Sequence, residues 1–280
     1  MKHAIKILTI LDVIFILFLI ASGSSSGIMS EVLYYSGFII PVVIGYRISM
    51  KLKTRREEER GLSEPNERFF SLDKSSLVLV LPIALPTVAL VFTVALLTSL
   101  LLASFGYASD SVQMRPLFEM ILINAIAPAF FEEVLFRYIP MKLLMPYSKR
   151  WCIIFSSVYF ALIHCSLFRL PYALTAGVIF IVVDMMAGSI WPSVILHLIN
   201  NVLSIIWMKY CIDERSMLIF VLLIALCVLV SLAFVYIWRR EYIKRIKGVF
   251  ERGESFAVTY APLALVIISM YIAMLSLLSN

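Results

Sequence analysis

The chain has 280 residues, 62% of them hydrophobic and only 15% charged, with a formal net charge of +6. Soluble domains are about 45–50% apolar, so this composition excludes a soluble globular fold, and the useful count is of membrane spans. The excess of Lys and Arg is what cytoplasmic loops of a membrane protein collect, and no basic stretch interleaved with aromatics suggests nucleic acid as a partner. Cys152, Cys165, Cys211 and Cys227 lie in or beside apolar stretches with no CxxC pair. They indicate neither a disulfide framework nor a thiolate zinc site.

Runs of roughly 17–25 mostly apolar residues predict the spans. The first, 5–21, follows Lys2 and Lys6 and precedes Ala-Ser-Gly-Ser, which also resembles a signal peptide. Its length and the spans that follow favour a retained helix. The second is 28–46. Residues 47–76 break the pattern with eight Lys/Arg and the block Glu57, Glu58, Glu59, and read as a cytoplasmic basic loop or short surface helix. The third, 77–104, contains Pro82 and Pro86, which are expected to kink its first half. The fourth, 117–144, carries Glu132 and Glu133; the fifth, 151–168, carries His164; the sixth, 172–188, contains Asp184. The seventh, 192–210, holds His197, Asn200 and Asn201, and the eighth is 217–238. A second cytoplasmic basic loop, 239–255, leads to the ninth, 256–278.

Alternating these spans across a bilayer puts nineteen Lys/Arg on the side of the N-terminus and four on the other, with Arg137 inside a span. The positive-inside rule then gives an N-in, C-out arrangement. Only helices or closed barrels satisfy backbone groups in lipid, and these runs are too long and too little alternated for barrel strands. The expectation is an all-α, polytopic transmembrane bundle of about eight to nine spanning helices. It forms one integral membrane domain over 1–280, lies in the cell membrane and has lipid as its surroundings. No internal repeat suggests a transporter built from symmetric halves.

Ionisable side chains at membrane depth are expensive and mark functional sites. On a helix, positions i and i+4 share a face, so Glu133 and Arg137 are expected to meet as an ion pair that makes the arginine tolerable. Glu132 is turned about 100° away, with Pro128 and Asn124 above it at i−4 and i−8, a polar and helix-weakening stripe suited to a wet groove. A carboxylate stripped of water in an apolar cleft is a better base, so Glu132 is the candidate base and Glu133 the anchor. His164, with Phe160 one turn before it, is either a core histidine bonded to a carbonyl or a site residue. His197 and Asn201 share a face and direct an imidazole and an amide into one space, as an oxyanion hole or a metal site requires. Ser193 and Ser204 read as interhelical hydrogen bonding, and Asp184 as a buried acid with a structural or helix-pairing role ahead of a catalytic one.

Three of these pieces together resemble the CPBP family (CAAX proteases and bacteriocin-processing enzymes, also called Abi). They are Glu132-Glu133-Val134-Leu135-Phe136-Arg137, Phe160-Ala161-Leu162-Ile163-His164 and His197-Leu198-Ile199-Asn200-Asn201, in order and on separate apolar segments. Gly-Ser-Ile-Trp-Pro at 188–192 also looks like the family. The resemblance covers roughly 115–208, the expected catalytic core. It implies an intramembrane endopeptidase acting on a peptide or prenylated C-terminus. Glu132 would activate water, His164 would hold or polarise it, His197 and Asn201 would stabilise the oxyanion, and Glu133, Arg137 and Phe160 would support them. A metal-independent reaction is favoured. Zinc on Glu132, Glu133, His164 and His197 is the alternative mechanism. The competing functions are a non-catalytic scaffold or self-immunity protein on the same fold, and a proton-coupled transporter. The span limits also raise a tension: taken literally, they place His164 and His197 about 12 Å apart in depth.

Overall fold

A computed structural model describes residues 2–60, 74–107, 115–164, 166–211 and 213–250. Among the described residues the structure is helical throughout, with no strand. Nine helices follow one another: α1 Lys2–Gly23, α2 Gly27–Arg60, α3 Lys74–Ser104, α4 over 117–144, α5 Lys149–Leu162, α6 Leu170–Ala187, α7 Trp191–Tyr210, α8 Glu214–Ile237 and α9 Arg239–Phe250. Six of these (α1, α2, α3, α6, α7 and α8) are long and apolar enough to cross a membrane on their own. The bundle is that of an integral membrane protein. The ninth predicted span, 256–278, lies outside the described residues.

Two predicted limits differ. The basic stretch after the second span does not begin with a loop, because α2 runs on as helix to Arg60. Residues 61–73 lie outside the described residues. Likewise most of 239–255 is the helix α9, and 251–255 lie outside the described residues. In α3 the helix runs on through Pro82 and Pro86.

α1 and α2 form a hairpin closed by two serines. Ser22 Oγ donates to Ser30 O at 2.8 Å, and Ser30 Oγ donates to Ser22 O at 2.9 Å. Ser22 O lies in the last turn of α1, where carbonyls have no donor within the helix, and the reciprocal bond to Ser30 O ties the first turn of α2 to it. A line of rings continues inward from this pair. Phe38 meets Phe15 at 4.7 Å between centroids, Phe15 meets Phe136 at 6.1 Å, and Phe136 meets Phe160 at 6.2 Å. The buried core therefore runs from the first hairpin to the glutamate-bearing helix.

α4 is one continuous helix with two wide-turned π stretches, Met120–Ile126 and Val134–Tyr138, on either side of the regular turn Ala127–Glu133. The sequence supplies a reason for the loosening. Pro128 and Pro140 have no N–H, so the carbonyls of Asn124 and Phe136, four residues earlier, lose their α-helical donor. The Ser156 hydroxyl of α5 donates to the Phe136 carbonyl instead. The π turns thus flank the two glutamates, a placement such irregularities favour at functional sites.

α5 departs most from the sequence reading. It begins at Lys149 behind the N-cap Ser148, whose Oγ accepts from Trp151 N at 3.2 Å. It ends at Leu162, short of the expected 168. Fourteen residues rise about 21 Å, less than the roughly 30 Å hydrocarbon layer. α6 then packs back on α5 so closely that a Cβ on Gly177 would sit 3.0 Å from Ser157 Cα.

Candidate active site

The site is built at the middle of α4 and closed by α5, α6 and α7. Glu133 and Arg137 meet as their spacing requires, with Arg137 Nη1 3.1 Å from Glu133 Oε1 and both side chains fully buried. The guanidinium also lies over two rings, its Cζ 3.8 Å from the Phe160 centroid and 5.4 Å from that of Phe180. A desolvated cation over an aromatic face gains about 2 kcal/mol or more, so Phe160 and Phe180 share with Glu133 the work of holding this charge. Phe180 has no distinguishing signal in the sequence; it is one phenylalanine in an apolar run.

Glu133 does more than pair with Arg137. The same Oε1 accepts a hydrogen bond from His197 Nδ1–H at 2.7 Å. That bond fixes the imidazole plane and turns the other nitrogen outward, as carboxylate partners of functional histidines do. His197 Nε2 then faces Glu132, 4.0 Å from its Oε2. Glu132 Oε2 is buried and makes no protein hydrogen bond. The two adjacent glutamates therefore differ in kind, one tied to a cation and an imidazole, the other open towards that imidazole's free nitrogen.

His164 stands in the turn just past α5, not inside a spanning helix. Its backbone N–H turns to Ala161 O at 3.4 Å, while its ring Nδ1–H donates to the Phe160 carbonyl at 2.8 Å. The side chain thus caps one of the carbonyls that the end of a helix leaves open, and Nε2 is left with a lone pair. The depth offset implied by the span limits does not part the two imidazoles. Both pack edge-on against the Phe160 ring, His164 at 5.1 Å and His197 at 5.6 Å between centroids. Phe160 is the piece the two histidines share.

Asn201 lies one turn beyond His197 on α7. Asn200 Nδ2 donates to Asn201 Oδ1 at 3.4 Å, which engages the acceptor end of the Asn201 amide.

Asp184 is completely buried at the end of α6. Its Oδ1 accepts from the backbone N–H of Ser193 at 2.9 Å. Ser193 is in the first turn of α7, where N–H groups have no helical partner, so Asp184 caps α7 from the preceding helix. Gly188 makes the corner between them with φ +66, a left-handed conformation that glycine takes without strain. The N–H groups of Gly188 and Ser189 close back on the Asp184 carbonyl. His197 follows Ser193 by four residues, so the corner at 188–192 sets where the imidazole stands.

The donor chemistry suits zinc in part, because both histidines bond through Nδ1 and leave Nε2 free, as ligating histidines do. Glu133 is occupied by Arg137 and His197. Among the described residues no three His, Cys, Asp or Glu side chains stand close enough to share an ion.

Residues 114–203 match the family described as type II CAAX prenyl endopeptidase, Rce1-like. The matched segment runs from the start of α4 through the asparagines of α7 and contains every residue of the cluster above. No curated protein and no solved structure matches the chain.

Proposed function

We propose that this protein, whose residues 114–203 match the Rce1-like family of CAAX prenyl endopeptidases, is an intramembrane endopeptidase in which Glu132 activates the attacking water. The observation that carries this reading is the 4.0 Å gap between Glu132 Oε2 and His197 Nε2. A water about 2.8 Å from each would donate one hydrogen to the carboxylate and the other to the imidazole. One of its two lone pairs would face a peptide carbonyl.

The step balances on this chain's own groups. Glu132 takes the water proton as the oxygen bonds to the carbonyl carbon. The C–N bond then breaks, and Glu132 returns the proton to the departing amine nitrogen. Asn201 donates through Nδ2 to the oxyanion, since its Oδ1 already accepts from Asn200. His164 offers Nε2 as an acceptor for a substrate N–H. Glu133, Arg137 and Phe160 act by holding His197 and do not touch substrate. The substrate is a prenylated or otherwise membrane-presented peptide, and the membrane is the cell membrane.

The test is cleavage of one peptide, prenylated and unprenylated, by the full chain in liposomes. Glu132→Gln keeps the side-chain shape and removes the base. The expected loss is about 10²–10⁴-fold with an unchanged melting temperature. Cleavage by this variant at the parent rate would overturn the assignment. A folded parent that cleaves neither peptide would favour a scaffold on the same fold. Loss of activity with a strong chelator, restored by zinc, would replace the metal-free step.

A further inference from the structure

α9, Arg239–Phe250, lies outside the matched segment and takes no part in the site. It is docked on the bundle by two basic side chains. Lys149 Nζ donates to Gly248 O at 2.8 Å, and Arg245 Nη1 donates to Met186 O at 3.3 Å. The second bond satisfies a carbonyl in the last turn of α6. α9 therefore rests across the start of α5 and the end of α6, at the end of the bundle where the sequence concentrates its Lys and Arg.

At 100° per residue the helix divides into three stripes. Tyr242, Arg245 and Val249 face the protein, and Val249 is buried there. Next around the helix come Ile243, Ile246 and Phe250, which are 50%, 41% and 46% exposed. Beyond these, centred about 90° further on, Arg240, Lys244 and Lys247 stand at i, i+4 and i+7, all exposed. Neither outer stripe is explained by folding alone. An apolar stripe in open water is unfavourable, and three like charges on one face repel each other. Together they fit a helix lying in the membrane surface, its apolar stripe in the acyl boundary and its cations at headgroup level. α9 also follows directly on α8, a span-length helix ending at Ile237, which delivers it to that level.

We propose that the Arg240, Lys244 and Lys247 face of α9 is a binding surface for the headgroups of anionic phospholipids, with Ile243, Ile246 and Phe250 seated among the acyl chains. The charge is complementary, and the apolar stripe beside it distinguishes a lipid from a soluble anion.

The test uses the purified full chain in a neutral detergent, titrated with phosphatidylglycerol, phosphatidylcholine or inorganic phosphate, with the melting temperature as readout. Phosphatidylglycerol should raise it saturably, less so at high salt. Phosphatidylcholine and phosphate should not. The triple variant R240Q/K244Q/K247Q should keep the lipid-free melting temperature and bind phosphatidylglycerol on the order of 100-fold more weakly. A second variant, I243N/F250N, keeps every charge and should also lose affinity. An equal response to phosphatidylcholine, a response to phosphate, or undiminished affinity in both variants would each overturn the proposal. Proteolysis is not the readout, so this result and that of Glu132→Gln stand apart.

Discussion

α4 and α8 are both apolar helices of span length, and they have opposite fates. α8 is the most apolar of the six helices able to span alone, yet it is the least enclosed. Leu226 is 60% exposed and Leu229 67%. α4 carries three acids, an arginine and a lysine and is widened by two π stretches, yet from Val134 to Met141 every side chain is buried. Lipid is as apolar as leucine, so hydrophobicity alone gives a membrane helix no reason to seek the interior. Polar groups do, because only other protein groups can satisfy them there. The interior of this protein is found where its charges are.

The largest expected break in that contrast is on α4. Arg137→Met leaves Glu133 as a buried carboxylate with no cation, and removing one partner of a buried pair costs about 3–5 kcal/mol. Thermal unfolding in detergent should show a large fall in melting temperature or failure to accumulate. Stability close to the parent would mean that the pair is not what holds α4 inside. Asp184→Ala should cost less, about 1–2 kcal/mol, the range for losing a helix N-cap. It should also slow cleavage, because α7 carries His197 from that corner. Full activity in this variant would detach the corner from the site. For Phe160→Leu a stability loss of about 1–3 kcal/mol is expected from lost packing and cation–π contact, together with reduced turnover, since both imidazoles rest on that ring. The smallest effect belongs to α8: Leu229→Ala should change the melting temperature hardly at all, within about 0.5 kcal/mol. A loss above about 2 kcal/mol would show that α8 is enclosed by something other than lipid.

The helical class and the membrane setting are legible in the sequence because both follow from composition and run length. So is the Glu133–Arg137 contact, which depends only on helical spacing. The rest depends on where helices stop. An apolar run through Phe168 reads as span, but α5 ends at Leu162, and His164 becomes a cap instead of a mid-helix residue. The π stretches have prolines beside them as a signal, yet proline alone does not foretell a widened turn; Pro82 and Pro86 lie in α3 with none. Phe180 was invisible, because its role comes from meeting Arg137 across two helices. Asp184 was legible as a structural acid, but its partner, the N–H of Ser193, could not be named before the corner at Gly188 was known.

The contact of Gly177 with Ser157 sets the two sides of the site apart in stiffness of packing. A methyl group at Gly177 would press on the Ser157 backbone at 3.0 Å, so α5 and α6 meet nearly backbone to backbone there. Opposite them α4 carries its glutamates between two widened turns, which makes it the least regular backbone around the cluster.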